Sequence, residues 1–494
     1  MKQSQRIVKN AFFGISGSVI GGLVYLTTVL IIAHTVSVRE FGKYSFVLAF
    51  AMFVNNIADS GLPRMLVREV AKDREGFVPI AGATFSLIWL ISGAMCLLVC
   101  LIVPFLHFGT DVKLGVVLMS FATLATFHAA GYAAVLRAFE DNELVYFGFI
   151  LHKVFLLGFV FLSIKLHFEL LGFVIAHLIA SVFLWNFYHL MVSRFCARVP
   201  LYFNVPLWKM LIRSSLPLGG GVMLRQLALQ FDILVLTWMS NLTAVGLFSG
   251  PYRISMALRI IPQTLSIPLF PLYSRTAHLS PTRFGEAYRM SLKFFLLISI
   301  PVASFFMAWS EPILRIALGP RYLPAIPAMQ LLGLGLIPFF LSTLFQYLFA
   351  ALDEQKRFLA STCVASGLRL LLLFLLIPFF GFIGPAIAFV CAETVIVTIW
   401  IVQLARLGFP AHLASTMWRP LLAGVTMCAV LFFGHGTQLI VTRIGFGALA
   451  IAAYVLMLFA VKTFSSKELH HVREGIGFVS PFIESWTKKL RRDS

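Results

Sequence analysis

The sequence predicts an all-α protein that crosses a membrane many times, built as two six-helix lobes followed by two further helices. Three properties point there. Hydrophobic residues make up 60% of the 494 and charged residues only 12%, whereas ordinary globular chains carry about 25% charged residues. Mean hydropathy is +0.92. Apolar runs near the length that crosses the hydrocarbon core as helix, about 20 residues, follow one another along the whole chain. The charges sit between those runs with a strong bias to alternate gaps, which is the mark of topology.

The runs fall at 12–36, 44–63, 79–106, 114–136, 144–164, 168–191, 212–239, 243–272, 290–310, 325–350, 358–378, 382–404, 418–435 and 445–461. That makes fourteen expected spans. The first follows "MKQSQRIVKN" and precedes no small-residue cleavage site, so it reads as a retained span and not a signal peptide. Of 39 Lys and Arg, six lie inside spans and seven (Arg39, Lys43, Lys113, Lys165, Arg315, Arg321, Arg443) in one set of loops. The remaining 26, Arg64 among them, lie in the other set. The positive-inside rule then places both termini in the cytoplasm and supports an even number of spans. The net charge of +19 is thus spent on orientation, and nucleic acid is not an expected partner. The six cysteines, Cys96, Cys100, Cys196, Cys363, Cys391 and Cys428, show no disulfide or zinc spacing and read as small packing residues.

A duplication underlies the run pattern. "HTVSVREFGKYS" (34–45) pairs with "WMSNLTAVGLFS" (238–249) at an offset of 204 through Gly42/Gly246 and Ser45/Ser249. "RAFEDNELVYF" (137–147) pairs with "AALDEQKRFLA" (350–360) at 213, and "LLGFVIAHLIAS" (170–181) with "FIGPAIAFVCAE" (382–393) at 212. Six spans per half is even, so the halves run parallel and their pseudo-twofold lies along the membrane normal, a plan suited to two bundles rocking about a central site. The expected division is 1–205 and 206–410 for the lobes, 411–463 for the additional pair, and 464–494 for a basic tail. In that tail Phe482, Ile483, Trp486 and Leu490 share one face beside Lys488, Lys489, Arg491 and Arg492, as in a helix lying on an anionic leaflet.

The spans retain nine charges: Asp59, Lys153, Arg213, Arg225, Asp232, Arg253, Arg259, Arg369 and Glu393. Each such charge at a span's centre costs roughly 2.5–3.5 kcal/mol on the insertion scale, so they mark function or mutual pairing. The seventh span concentrates them: "LRQLALQFDILVLTWM" carries Arg225, Gln226, Gln230 and Asp232. Arg225 and Asp232 are seven apart and share a face. Two readings stand side by side: Arg225 neutralises Asp232 and Arg253 neutralises Asp59, or the cations line a wet cavity and await an anion. Six cations against three acids favour the second for the set, with Arg213 and Lys153 expected to snorkel. The eighth span, with Pro251, Pro262, Pro268 and Pro271, should be bent or broken beside that cavity. "GGGVML" lacks the Lys-Ser/Thr of a phosphate loop, and the histidines at 128, 152 and 177 have no metal-like spacing. No HExxH or nucleophile elbow is present, no loop is long enough for a catalytic domain, and no enzyme or bound cofactor is expected.

The segment "FVNNIADSGLPRMLVREVAKDRE" (53–75), through Asp59-Ser60-Gly61-Leu62 and Arg68-Glu69, and the opening "NAFFGISGSVIGGLVYLTTVLIIAHTVSVREFGKYSF" resemble the polysaccharide-exporter branch of the multidrug/oligosaccharidyl-lipid/polysaccharide flippase superfamily, the Wzx-type O-antigen and capsule flippases. The resemblance implies two six-helix lobes in a V and a lipid-linked oligosaccharide as cargo. Drug-extruding relatives tend to use acidic lobe residues for cations, and the arginine excess departs from them.

The expected function is alternating-access transfer of a polyprenyl-diphosphate-linked oligosaccharide between leaflets, for O-antigen, capsule or exopolysaccharide synthesis. Arg225, Arg253, Arg259 and Arg369, with Gln226 and Gln230, are the expected substrate ligands because guanidinium matches phosphate oxygens bidentately. Asp59 and Asp232 are the carboxylates expected to couple transport to H+ or Na+. Partners are the lipid-linked glycan, membrane lipids and the glycan polymerase machinery. A cation-coupled drug antiporter on the same fold and a flippase for another lipid-linked wall precursor are the alternatives.

Overall fold

The computed structural model describes residues 3–59, 61–411, 413–434 and 440–463; the expected amphipathic tail lies outside them. Among the described residues every regular element is helical. A first group comprises α1 (Gln3–Thr35), α2 (Val38–Asp59), α3 (Leu62–Lys72), α4 (Phe77–Ile102), α5 (Thr110–Ala138), α6 (Asn142–Lys165) and α7 (Leu170–Phe195). A second comprises α8 (Val205–Met239), α9 (Leu242–Ala257), α10 (Ile260–Leu279), α11 (Pro281–Ala308), α12 (Ser310–Ala317), α13 (Ile326–Ala351), α14 (Gln355–Phe380) and α15 (Gly384–Arg406). α16 (Leu413–Phe433) and α17 (Ile440–Ala460) complete the chain. The chain is a multi-pass membrane protein: eleven stretches among the described residues are long and apolar enough to cross. Three places account for the difference from the fourteen expected. Gln355–Arg406 counts once although it holds both α14 and α15, Gly445–Ala460 is short, and the eighth span is divided into α9 and α10.

That division has a local cause. Pro262 has no N–H to donate to the Leu258 carbonyl four residues back, and its ring crowds that carbonyl; Pro251, Pro268 and Pro271 sit inside α9 and α10 themselves. At Leu258 and Arg259 the chain makes only three-residue turns, Leu258 N–H to Ser255 O at 3.2 Å and Arg259 N–H to Met256 O at 3.1 Å. The second span breaks too, where Gly61 adopts φ 87° between α2 and α3, a backbone region that glycine enters without strain.

The sequence repeat is a structural one. Glu140 and Asp353, 213 residues apart, both have positive φ, 70° and 57°. Each closes its helix with the same bond, Asp141 N–H to Leu136 O and Glu354 N–H to Phe349 O, both 3.0 Å, the left-handed helix ending that satisfies terminal carbonyls. Gly42 and Gly246 lie where α2 crosses α9. A Cβ on Gly42 would collide with the Leu242 carbonyl, and one on Gly246 with the Val38 carbonyl. Both contacts obey the 204 offset, so the two halves meet there about their own pseudo-twofold.

Within the first group α5 packs on α7 and α2, and α1 and α7 pack on α6; within the second α13 packs on α11 and α15, and α14 on α15 and α8. α8 joins the groups. Its start is held to the first by the Trp208 indole, which donates to the Ala83 carbonyl at 3.1 Å, and its later turns lie against α2 and α14. The added pair is peripheral: α16 packs on α11 and α17 on α16, with the Tyr454 hydroxyl donating to the Leu297 carbonyl at 3.0 Å.

Candidate functional site

The polar stripe of α8 faces two different surroundings. Toward α14 and α15 it enters a buried set of four charges. The Arg369 guanidinium grips Asp232 bidentately, Nε to Oδ1 at 2.9 Å and Nη2 to Oδ2. Arg225 Nη2 donates to Glu393 Oε2 at 3.0 Å and to the Ser342 hydroxyl at 2.5 Å, and that hydroxyl donates to Glu393 Oε2 at 2.8 Å. Glu393 Oε1 lies 3.9 Å from Arg369 Nη1. The four thus alternate in sign, Asp232, Arg369, Glu393, Arg225, and tie α8, α13, α14 and α15 together. Their side chains are 0% to 12% exposed, and burial at this depth is tolerated because every charge has a hydrogen-bonded opposite.

Arg225 and Asp232 do share a helix face, but they do not neutralise each other; each finds its partner on another helix. Nor do Arg253 and Asp59 meet. Arg253 Nε and Nη2 and Asp59 Oδ1 are buried without a hydrogen-bond partner. Arg369, expected to hold substrate, is instead committed to Asp232. Lys153, expected to snorkel, lies 4.5 Å from the centroid of the Tyr25 ring, a cation–π position. Arg213 is exposed as expected.

Away from that set, Arg225 borders a cavity of about 360 Å3 whose lining also includes Arg64, Arg259, Gln226, Gln263 and Tyr347, and no carboxylate. Arg259 Nη1 donates to Gln226 Oε1 at 3.1 Å, so α8 fixes the arginine that the α9/α10 break projects. Gln230, one turn along α8, is not part of this lining. A second cavity, about 550 Å3, shares Arg259 and Gln263 and extends past Arg253 and Tyr25 to apolar Val29, Phe149 and Leu23. The two cavities adjoin at Arg259 and Gln263, the smaller one basic and the larger one mostly apolar beyond Arg253. Among the described residues only Arg225 of the three arginines in the smaller cavity makes an ion pair with a carboxylate, while Asp59 lies within electrostatic reach of Arg64; an anion there would meet three guanidinium groups.

Arg64 was hidden in the sequence among basic loop residues. The available sign was "DSGLPR": a glycine break followed by Pro at the start of a helix, which returns Arg64 to the bundle on α3. Glu393 was visible as a charge, but nothing local tied it to Arg225, 168 positions away. Among the described residues no group of three or more His, Cys, Asp or Glu could hold a metal ion; His177 hydrogen-bonds Tyr44 at 2.9 Å, and His128 packs between Trp89 and Trp185.

Comparison with known proteins agrees with this architecture. The profile of a family described as polysaccharide biosynthesis protein matches residues 7–277. A search of curated proteins found no match. Among solved structures, the lipid II flippase MurJ in an inward closed conformation superposes with a TM-score of 0.75 at 15% identity, covering 92% of this chain and 99% of its own. An inward-facing multidrug resistance MATE transporter of the MOP superfamily gives 0.65 at 15% identity, covering 84% and 96%. A MOP superfamily transporter from Pyrococcus furiosus, for which reverse polarity of the binding pocket suggests a different function, gives 0.58 at 14%, covering 86% and 96%. The chain belongs to the polysaccharide biosynthesis protein family and has the fold of the MOP superfamily transporters.

Proposed function

We propose that this protein is a flippase that moves a polyprenyl-diphosphate-linked oligosaccharide from the cytoplasmic to the outer leaflet of a bacterial inner membrane, supplying O-antigen, capsule or exopolysaccharide synthesis. The observation that carries the proposal is the smaller cavity: Arg64, Arg225 and Arg259 line it without a carboxylate. The diphosphate sits among these guanidinium groups, each able to offer a two-pronged donor to phosphate oxygens. The adjoining apolar chamber, with Arg253 at its inner wall, takes the first part of the prenyl chain. Rocking of the 1–205 and 206–410 lobes about the Gly42/Gly246 contact then exposes the head to the other side. About two negative charges moving out of an inside-negative cell gain roughly 2.3 kcal/mol each per 100 mV. Asp232 is engaged by Arg369, which leaves Asp59, with its unpartnered oxygen, as the carboxylate for H+ or Na+ coupling.

A cation-coupled drug antiporter would want the opposite polarity in this cavity. The test is glycan export by Arg259→Ala and Arg259→Lys with protein abundance measured in the membrane. The reading predicts loss in the first and partial activity in the second, which keeps the charge but not the fork. Normal export by Arg259→Ala would remove the cavity from the mechanism.

A further inference from the structure

The larger cavity is mostly apolar, yet two cations stand at its inner wall without a carboxylate. Arg253 of α9 lines it, and Nε and Nη2, the two nitrogens along one edge of its guanidinium, are buried without a hydrogen-bond partner. That edge is the two-pronged donor that grips an oxyanion, and a buried donor left unmade costs about 1–3 kcal/mol. Lys153 of α6 rests on two rings that line the same cavity, 4.5 Å from the Tyr25 centroid and 5.4 Å from that of Phe149. It has no ion-pair partner among the described residues. A Cβ on Gly21 would collide with the Phe149 ring, so this glycine lets α6 close on α1 and brings Lys153 to the wall. His177 lies within electrostatic reach of both Lys153 and Arg253, which puts the two cations around one region.

The internal repeat shows which charges are missing there. The offset of 213 carries Lys153 to Ser366, which borders the four-charge set beside Arg225, Arg369 and Glu393. In that lobe Asp232 and Glu393 balance the arginines. Their counterparts at offsets of 204 and 212 are Thr28 and Ser181, both buried and neutral. Equivalent places thus hold a complete charge set in one lobe and cations alone in the other. The balancing charge is left to a ligand.

Position along the bundle suggests which ligand. Arg64 lies past the end of α2, whereas α9 starts beside the start of α2, at the Gly42/Gly246 contact. Arg253 comes six residues before Arg259, about 9 Å along the axis at 1.5 Å per residue. The cations therefore ascend from Arg64 through Arg259 to Arg253, and Arg259 borders both cavities.

We propose that Arg253 and Lys153 form a second station for the diphosphate of the lipid-linked cargo, which Arg259 hands over to them as the lobes rock. The step rests on the flippase reading and extends it: the diphosphate first sits among Arg64, Arg225 and Arg259, and is then held by Arg259, Arg253 and Lys153. The Arg253 fork takes two phosphate oxygens and the Lys153 ammonium acts as a point charge on a third. Overlapping stations keep the diphosphate from crossing an apolar stretch uncompensated, which would be costly.

The test measures farnesyl diphosphate binding to the full chain in detergent micelles and glycan export in cells, with protein abundance in the membrane. Lys153→Met and Arg253→Gln should each keep the parent's affinity within about twofold and slow export about tenfold, equivalent to about 1.4 kcal/mol of barrier. Lys153→Arg and Arg253→Lys should keep part of the export, and Arg194→Gln, at the end of α7, all of it. If Arg253→Gln is absent from the membrane, Lys153→Met decides. Export at the parent's rate in Lys153→Met, with Arg259→Ala still inactive, would overturn the second station and leave the first standing. Affinity lost in step with export would place both residues in the first station and overturn the handover. No binding of farnesyl diphosphate by the parent would overturn both stations. Broadening of the chloride magnetic resonance by the parent but not by Lys153→Met or Arg253→Gln would assign the site to a resident inorganic anion instead of cargo.

Discussion

Removing one member of the buried four-charge set should destabilise the protein by an amount that depends on which charge is stranded. Asp232 is 0% and Arg369 3% exposed, and taking away one partner of such a pair costs about 3–5 kcal/mol. The neighbours decide where in that range each change falls. In Asp232→Asn, Arg369 still has Glu393 at 3.9 Å, an attraction of about 4 kcal/mol at an effective dielectric near 20, so the cost should lie near 3 kcal/mol. In Arg369→Gln, Asp232 loses its cation and Glu393 keeps only Arg225, so the cost should lie near 5 kcal/mol. The double change leaves Arg225 and Glu393 as an intact neutral pair and should recover most of the loss. The assay is unfolding of the purified protein in detergent micelles, followed by temperature and by denaturant. The expected order of stability is Arg369→Gln lowest, Asp232→Asn next, then the double variant, then the parent. A single variant as stable as the parent, or a double variant no better than Arg369→Gln, would refute the alternating-charge account.

Three further outcomes are expected. Gly42→Ala and Gly246→Ala should destabilise to similar extents, about 1–3 kcal/mol of overpacking each, because they occupy symmetry-related positions in the α2/α9 contact; a large effect of one and none of the other, read by the same unfolding assay, would contradict the pseudo-twofold. Cysteine introduced at Ser193 or Thr282 should be shielded from an impermeant thiol reagent outside the cell and cysteine at Thr110 should react, with the reverse pattern overturning the orientation. Burial, aided by Asp141, pushes the Cys196 thiol up to about 11; its thiolate fraction at pH 7.5 is then roughly 300-fold below that of a free cysteine, and its alkylation rate in micelles should be correspondingly slow and climb about tenfold per pH unit up to that value.

Span lengths, the parallel duplication and the break in the eighth span were legible because each depends on local chemistry: apolar length, glycine at a close approach, proline inside a helix. The repeat even located the two equivalent helix endings at Glu140 and Asp353. The polar stripe on α8 was legible as a stripe. Its partners were not, since helical spacing says which residues share a face and is silent on what that face meets. Asp232 found Arg369 at a separation of 137 and Arg225 found Glu393 at 168, so the short-range pairing of Arg225 with Asp232 gave way to tertiary ones. Arg64 was misplaced for a related reason. A glycine and a proline read as a loop, whereas here they restart a helix whose first turn faces the cavity.

The central claim is that the arginines of the smaller cavity bind a phosphate-bearing head and do more than balance carboxylates. Glycan export by Arg225→Ala and by Arg225→Ala with Glu393→Gln, with protein abundance in the membrane measured alongside, tests it most directly. Glu393 in the single variant keeps Ser342 and its longer approach to Arg369, so the protein should persist while export fails, and neutralising Glu393 should not restore it. Export recovered in the double variant would show that Arg225 serves only to neutralise Glu393, and would contradict the account.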